Sequence, residues 1–417
     1  MKKIKDILLY IVNCFIAKKE RFIYISKGMS TGNNCHDILN YSGDNSFSFL
    51  NTFLKYAFPE KVTVFIDYFD DKRIGKYLDV AKKAKKNNID LVFIRSYQDQ
   101  VGWKRLKLLV CRFYHLYQSK LWVIGSGDGY IYGKLKCQSV LNTNYFISCK
   151  NDFIKGKNDR WRFIDYFLST SLLHSTVSAA QTGVKLDNCI ELGFPRNDTL
   201  FASNKKDIIY SWLISEIGYE PQKIIIYAPT YRDYEKDKLR EKRFLFGYDM
   251  PELEAFLAKN RVCMIAKLHN LTCKEQMDKP KGVVDFNICY DFTFYDLMAF
   301  ADCVITDYSS LGYDFLLLNK PLIYNLYDQD KYVEDRGLSY EPYESFCPGI
   351  IVKDENSMML ALKDVVENRD AYLDKREHLA DIFHKYKDGN SSKRLCEYVV
   401  RNILGYSIDK VFLDETL

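Results

Sequence analysis

Three short polar clusters in the second half of the chain carry side chains able to handle an anionic, phosphate-bearing ligand. They are Ala228-Pro229-Thr230-Tyr231-Arg232-Asp233, Lys267-Leu268-His269-Asn270 and Thr306-Asp307-Tyr308-Ser309-Ser310-Leu311-Gly312. Each follows an apolar run of strand character, Lys223 to Tyr227, Val262 to Ala266 and Val304-Ile305. In an open parallel sheet, positions just beyond the carboxyl ends of the strands face the ligand crevice. Thr306 to Ser310 leads into an apolar stretch, Leu311 to Leu318, whose pattern predicts a helix. Its hydroxyls and the first free amides would receive a phosphate there, and capping by Asp307, Ser309 or Ser310 is the competing role. His269, with two ring nitrogens, and Arg232 or Lys267 would neutralise charge growing on a leaving phosphate. The competing role for His269 is a structural one.

Other clusters carry less chemistry. Gly125-Ser126-Gly127-Asp128-Gly129 follows the strand-like Leu121 to Ile124 but lacks the full GxGxxG spacing of a phosphate-binding turn. Asp67, Asp70 and Asp71 have no His or Cys beside them and read as a solvated loop. No D-x-D motif bridges a nucleotide to a metal, so neither metal nor cofactor is expected. The 12 cysteines show no CxxC pair and sit singly in apolar segments, which predicts free thiols in a reducing, cytoplasmic compartment. No G-x-S-x-G follows a strand, which argues against a Ser-His-Asp hydrolase. A net charge of +5 with no dense basic face beyond the N-terminus argues against a nucleic-acid partner.

The elements that must position these clusters follow from periodicity. Short apolar runs alternate with helical stretches: Phe22 to Ile25, Val62 to Ile66, Leu91 to Ile94 and Leu121 to Ile124 in the first half, with a helix over Tyr77 to Asn87. The second half repeats the style from Lys223, with strands at Val262 to Ala266, Val304-Ile305 and Leu322 to Tyr324. Helices are predicted at about Met250 to Lys259, Tyr295 to Phe300 and Leu311 to Leu318. Such runs suit strands buried on both faces of a parallel sheet. At 417 residues, two domains are the natural division. The fold class predicted is α/β, two Rossmann-like domains facing a cleft. The domains are an amphipathic segment over 1–20, a first Rossmann-like domain over 21–203, a nucleotide-binding one over 223–385 and a C-terminal helical segment over 386–417.

Ile4, Ile7, Leu8, Ile11 and Phe15 fall at helical spacing between Lys2, Lys3, Lys5 and Lys18, Lys19. The apolar run from Ile7 to Ala17 is about half of what spans a bilayer. It fits a helix lying on an anionic membrane surface, against the alternative of a helix packed on its own domain. No small-residue cleavage site follows it, which disfavours a signal peptide.

Taken in order, the motifs resemble those of the CDP-glycerol glycerophosphotransferase family. Gly193-Phe194-Pro195-Arg196-Asn197-Asp198 resembles a G-x-P-R-x-D turn, and Tyr227 to Asp233 a Y-A-P-T-[WY]-R-[DE] segment. His269 lies where the family has a histidine. Ala301 to Ser310 continues through Asp314, Asn319-Lys320-Pro321, Tyr327-Asp328, Tyr332, Arg336-Gly337 and Pro348-Gly349, and Asp388 to Arg394 resembles a closing D-G-x-x-x-x-R. The likeness is strong from about Asp165 to Val399. It departs where the family has W-H-G-T-P-x-K: in Gln138 to Lys150 the lysine persists as Lys150, and Tyr145 stands where the general-base histidine is expected. Tyrosine, with a pKa near 10, is a poor base at neutral pH. Asp128, His36 and His174 are the other candidates for that role.

The resemblance implies a GT-B fold and attack of an acceptor hydroxyl on the β-phosphorus of a CDP-polyol, with CMP leaving. His269, Thr306, Asp307, Ser309 and Ser310 would serve the diphosphate, with Arg232, Lys150 and Arg196 as further substrate contacts. The implied partners are a CDP-polyol donor and a lipid-linked glycan or polyol-phosphate acceptor, met at the cytoplasmic face of the membrane by a peripheral enzyme of teichoic-acid or capsule synthesis. The alternatives are a GT-B glycosyltransferase using a nucleotide-sugar, and a catalytically silent nucleotide-binding subunit.

Overall fold

The computed structural model describes residues 2–26, 45–68, 74–95, 101–125, 134–144, 146–147, 149–150, 161, 163–230, 232, 250–267, 280–286 and 292–413. The chain divides into two compact units. The first comprises Met1–Tyr145, Lys157–Asp198 and Asp388–Leu417; the second comprises Phe146–Gly156 and Thr199–Lys387.

The first unit is built on seven parallel strands: β1 (Lys19–Ser26), β2 (Val62–Tyr68), β3 (Ile89–Arg95), β4 (Ser119–Ile124), β5 (Ser139–Asn142), β6 (Tyr166–Ser169) and β7 (Cys189–Glu191). Their spatial order is β3-β2-β1-β4-β5-β6-β7. The central strand β1 pairs in parallel with β2 and β4, which buries Ile23, Tyr24 and Ile25 completely. Helices α1 (Lys2–Phe15), α2 (Asn45–Phe53), α3 (Ile74–Lys86), α4 (Gly102–Gln118) and α5 (Leu172–Thr182) lie along this stretch of chain.

The second unit carries six parallel strands: β8 (Lys223–Tyr227), β9 (Val262–Ala266), β10 (Val283–Asp285), β11 (Cys303–Thr306), β12 (Leu322–Asn325) and β13 (Ile350–Val352). They are arranged β10-β9-β8-β11-β12-β13. Written from the first strand of each sheet, both orders begin 3-2-1-4-5-6, the doubly wound arrangement of a Rossmann sheet. β8 and β9 are apolar along most of their length because both faces are covered, and Ile225, Met264, Cys303 and Leu257 share one core. Helices α6 (Lys206–Ile217), α7 (Leu253–Lys259), α8 (Phe294–Phe300), α9 (Leu311–Phe315), α10 (Gln329–Arg336), α11 (Glu355–Val366) and α12 (Leu373–Phe383) belong to this unit. Thr293 begins α8 with a reciprocal capping box, its hydroxyl accepting from the Asp296 amide while the Asp296 carboxylate takes the Thr293 amide.

Strands expected from apolar runs are present, and β5, β6, β7, β10 and β13 are additional. Each is three or four residues long, too short for a period to show. The stretch Leu311 to Leu318 is α-helical only to Phe315 and finishes as a 3-10 turn.

Two boundaries differ from the expected ones. The first sheet's unit ends at Asp198, before the stretch preceding β8, and α6 goes with the second unit. The C-terminal segment is not separate: α13 (Ser391–Tyr398) joins the first unit, where the Asp198 carboxylate accepts the Ser391 and Ser392 amides at 2.8 and 2.7 Å. Burial pushes the Asp198 carboxyl above its usual range against the pull of those amides. Arg394 closes the joint by donating to the Leu192 carbonyl and to Asp388. The two sequence motifs at 193–198 and 388–394 are thus one structural knot. Gly193 sits in it at φ +83°, where a Cβ would lie 2.4 Å from Ser391 Oγ.

Candidate functional site

In a doubly wound sheet the crevice opens where the strand order reverses. In the second unit that point lies between β8 and β11, and the loops leaving these two strands are Ala228–Arg232 and Asp307–Ser310. A third loop, Leu326–Asp328, leaves the neighbouring β12.

A buried cation ties the three together. Arg232 donates through Nε to Asp328 Oδ2 at 2.6 Å and through Nη2 to Asp328 Oδ1 at 3.0 Å, the forked geometry that makes arginine–carboxylate pairs directional. Its Nη1 donates to Asp307 Oδ2 and to the Thr230 carbonyl, both at 2.7 Å. Asp307 in turn accepts the Thr230 amide on both oxygens, at 2.9 and 3.0 Å. The three side chains are 5%, 2% and 8% exposed for Arg232, Asp307 and Asp328. Burial alone would lower the Arg232 pKa, but Asp307 and Asp328 outweigh it and hold the guanidinium protonated.

Aromatic rings close around this cation. The guanidinium carbon lies 5.1 Å from the Tyr327 ring centre and 5.6 Å from that of Tyr308, and Tyr308 stacks on Tyr332 at 3.8 Å. The Tyr308 hydroxyl donates to Asp328 Oδ1 at 3.2 Å. Burial, then Asp328 and Asp307, push its pKa far up, so it stays a donor. Tyr343 donates to the Asp307 carbonyl at 2.7 Å, and Cys149 Sγ to the Tyr308 carbonyl at 3.0 Å.

These contacts redistribute the roles expected of the residues. Arg232 and Asp307 face each other rather than solvent, and Thr306 is fully buried with its hydroxyl on the Ala228 carbonyl at 3.0 Å. Among the described residues, the half-exposed hydroxyl-bearing residues following β11 are Ser309 and Ser310. Thr230 Oγ1 is itself buried and has no partner among the described residues, and Ser309 Oγ accepts a long bond of 3.4 Å from the Leu311 amide. Lys267, at the end of β9, is also half-buried, its ammonium 5.4 Å from the Phe294 ring centre.

Lys150 was expected on the acceptor-side domain, whereas its segment belongs to the second unit. Lys150 bridges Leu338 in antiparallel fashion, and the Ser339 amide donates to the Cys149 carbonyl. Arg196 stays in the first unit, buried, with its guanidinium 4.8 Å over the Phe194 ring and its amide donating to Asn45 Oδ1. His269, Tyr145, Asp128 and His36 lie outside the described residues.

His174 is fully buried in the first unit. Its Nδ1 accepts the Thr170 amide at 3.1 Å, and Nε2 meets the Asn144 amide group at 3.2 Å. A ring without access to solvent and committed on both nitrogens is a support for the loop after β5, not a free base. Asn144 takes a left-handed φ of 50° there, with its amide on Asn142 Oδ1, while Asn45 Nδ2 donates to the Thr143 and Asn144 carbonyls. Among the described residues, no group of three or more His, Cys, Asp or Glu is placed to hold a metal.

Asp328, Tyr332 and Tyr343 complete the ionic knot and had no role in the sequence reading. Asp328, just before α10, and Tyr332, within it, had a signal in the motif series, whereas Tyr343, which opens the 3-10 turn Tyr343–Phe346, had none.

Two parallel doubly wound sheets, with polar loops at a switch point, define a GT-B-type α/β protein. The fold matches the solved structure of the wall teichoic acid polymerase TagF with a TM-score of 0.69 at 19% identity, covering 95% of this chain and 92% of that one. It also matches UDP-GlcNAc 2-epimerase from Methanocaldococcus jannaschii with a TM-score of 0.54 at 11% identity, covering 91% and 100%. At these identities the likeness is one of fold. Residues 69–401 match the family described as CDP-Glycerol:Poly(glycerophosphate) glycerophosphotransferase, and the chain belongs to that family.

Among its relatives, the teichoic acid glycerol-phosphate transferase of Staphylococcus aureus (strain NCTC 8325 / PS 47) is 28% identical over 251 residues, 60% of this chain and 63% of that protein. The teichoic acid ribitol-phosphate polymerase TarL of the same strain is 32% identical over 225 residues, 54% of this chain and 38% of that protein. The teichoic acid glycerol-phosphate primase of Bacillus subtilis (strain 168) is 29% identical over 243 residues, 56% and 57% of the two chains. The chain therefore spans less than two thirds of each of these relatives.

Proposed function

We propose that this chain transfers a polyol phosphate, glycerol phosphate or ribitol phosphate, from a CDP-polyol to a hydroxyl of a lipid-linked glycan or polyol-phosphate acceptor in teichoic-acid-like or capsule synthesis. The observation that carries this reading is the half-exposed Ser309–Ser310 turn at the switch point of the second sheet, in a member of this family. Ser309 and Ser310 would donate hydroxyl protons to the diphosphate oxygens. The acceptor oxygen bonds to the β-phosphorus, the bond from that phosphorus to the bridging oxygen breaks, and CMP leaves with the electron pair. His269 is proposed to balance charge on the departing phosphate. Tyr145 and Asp128 are the candidates for taking the acceptor proton, and Lys150 and Arg196 for substrate contact.

Calorimetric titration with CDP-glycerol, CDP-ribitol and UDP-glucose, followed by a CMP-release assay, tests the reading. CDP-polyol binding with CMP release upholds it. Preference for UDP-glucose would replace it with a glycosyltransferase, and binding without turnover across lipid acceptors would replace it with a silent subunit. His269→Ala is expected to abolish release while leaving the fold intact by circular dichroism.

The same chain is proposed to work at an anionic membrane surface, bound peripherally on its cytoplasmic face. α4 carries exposed Lys104, Arg105 and Lys107 and no acidic residue, while Arg112 turns inward and donates to the Tyr24 hydroxyl. Trp103, Leu106, Val110 and Tyr114 recur every three or four residues on one face and are exposed, Trp103 by 85%. α1 is held by Asn13 Nδ2 on Gln138 Oε1 at 2.8 Å, yet leaves Leu8, Ile11, Val12 and Phe15 exposed. No described helix is long and apolar enough to cross a membrane. Basic helices with exposed apolar faces suit a lipid interface. In sedimentation with phosphatidylglycerol vesicles, Trp103→Glu and Phe15→Glu should each lower the bound fraction several-fold; unchanged binding in both would assign these faces to protein contacts.

A further inference from the structure

We propose that Arg232 is a positioning residue, the buried latch that sets the loops after β8, β11 and β12 in the one arrangement that receives the donor diphosphate. This rests on the donor-site reading above and assigns to Arg232 a role different from the direct phosphate contact its place in the motif suggests.

The argument starts from what parallel strands leave undone. Beyond their carboxyl ends the sheet ladder stops, so neighbouring loops have no shared backbone bonding to fix their spacing. Here the ladder ends at Tyr227 and Thr306, and the Ala228 amide still reaches the Ile305 carbonyl at 2.9 Å. Past that point, Arg232 touches all three loops: the Thr230 carbonyl, the Asp307 carboxylate and both oxygens of Asp328. Asp307 and Tyr308, which hold these contacts, immediately precede Ser309 and Ser310. A shift of the latch therefore moves the two serine hydroxyls.

The chemistry of the knot excludes the alternative role. Four of the five guanidinium N–H bonds point at protein oxygens, and the side chain is 5% exposed. One cation lies between two carboxylates, so the cluster offers no net positive charge to an anionic ligand. Its contribution is geometric, and the fork of arginine is what supplies the geometry. Lysine would keep the charge and lose the paired bonds to Asp328.

The test uses the full chain carrying Arg232→Lys, with Asp328→Asn as a second variant that keeps the arginine and its bond to Asp307. Three quantities are read: the KM for CDP-glycerol, the KM for the acceptor, and hydrogen exchange at the Thr230 amide, which donates to Asp307. The latch predicts a rise of tenfold or more in donor KM with acceptor KM within twofold, and Thr230 exchange faster by tenfold or more. A general loss of structure would move both KM values together. Wild-type donor KM and wild-type Thr230 protection in a folded variant would overturn the latch. If Arg232→Lys does not fold, Asp328→Asn carries the same expectations in the same direction. The exchange readout needs no donor, so failure of the wild type to use CDP-polyols would reject the transferase reading while leaving the latch judged by Thr230.

Discussion

The loop edges of the two sheets solve the same problem with different chemistry. After β5 and β6, the first unit relies on neutral groups: Asn45 on two carbonyls, Asn142 on the Asn144 amide, and His174 between Thr170 and Asn144. After β8, β11 and β12, the second unit relies on a buried cation between two carboxylates. A neutral network loses one moderate contribution for each bond removed. A buried ionic knot behaves otherwise, because removing one member strands a desolvated charge. The second edge is therefore the costlier one to disturb, which suits the proposed presentation of the Ser309 and Ser310 hydroxyls to a diphosphate.

The largest effect expected is on Arg232→Met. It leaves Asp307 and Asp328 buried without their cation and should lower stability by about 3–5 kcal/mol in urea unfolding followed by a probe in the second unit. A cost below about 1 kcal/mol would mean that water reaches these carboxylates, and the contrast between the two edges would dissolve. Next comes Asn45→Ala in the first unit, which frees the Thr143 and Asn144 carbonyls and the Arg196 amide. Its expected cost is about 2 kcal/mol by the same measurement. A loss equal to that of Arg232→Met would show that neutral bonding constrains its edge as tightly as charge does.

Tyr308→Phe removes only the hydroxyl bonded to Asp328 and keeps the ring stacked on Tyr332. About 1 kcal/mol is expected, with donor KM changed less than in Arg232→Lys. The smallest effect concerns acid. Asp370, bonded by Arg376 Nη1 at 2.9 Å, is held below its usual pKa of 3.8 by that hydrogen bond. A carboxyl lowered in the folded state adds stability that is whole above its unfolded pKa and is lost as the pH falls through the folded one. The second unit should thus weaken below about pH 4, and Asp370→Asn should remove part of that acid slope. An unchanged slope would place the acid response elsewhere.

Much of the architecture was readable from residue order because its cause is local. Apolar runs such as Lys223-Ile224-Ile225-Ile226-Tyr227 can be satisfied only by burial on both faces, and their alternation with helical stretches implies parallel sheets. Loop positions after strands, and the motif series they form, were equally legible. The short strands β7, β10 and β13 were not, since three residues show no period and pair only because a neighbour is already in place.

What tertiary contact added is the partnership of distant residues. Arg232 reads as a phosphate contact until Asp307 and Asp328, 75 and 96 positions away, are seen to enclose it. Asp198 and Ser391, 193 positions apart, belong to motifs that look independent and form one joint that draws the C-terminal helix to the first unit. Likewise the stripe of Ile7, Leu8, Ile11 and Phe15 is legible from spacing, but whether it is core or surface depends on what the chain folds against it, and here Phe15 is exposed. Residue type and spacing limit what a side chain can do; burial and the partners brought by long-range packing select among those possibilities.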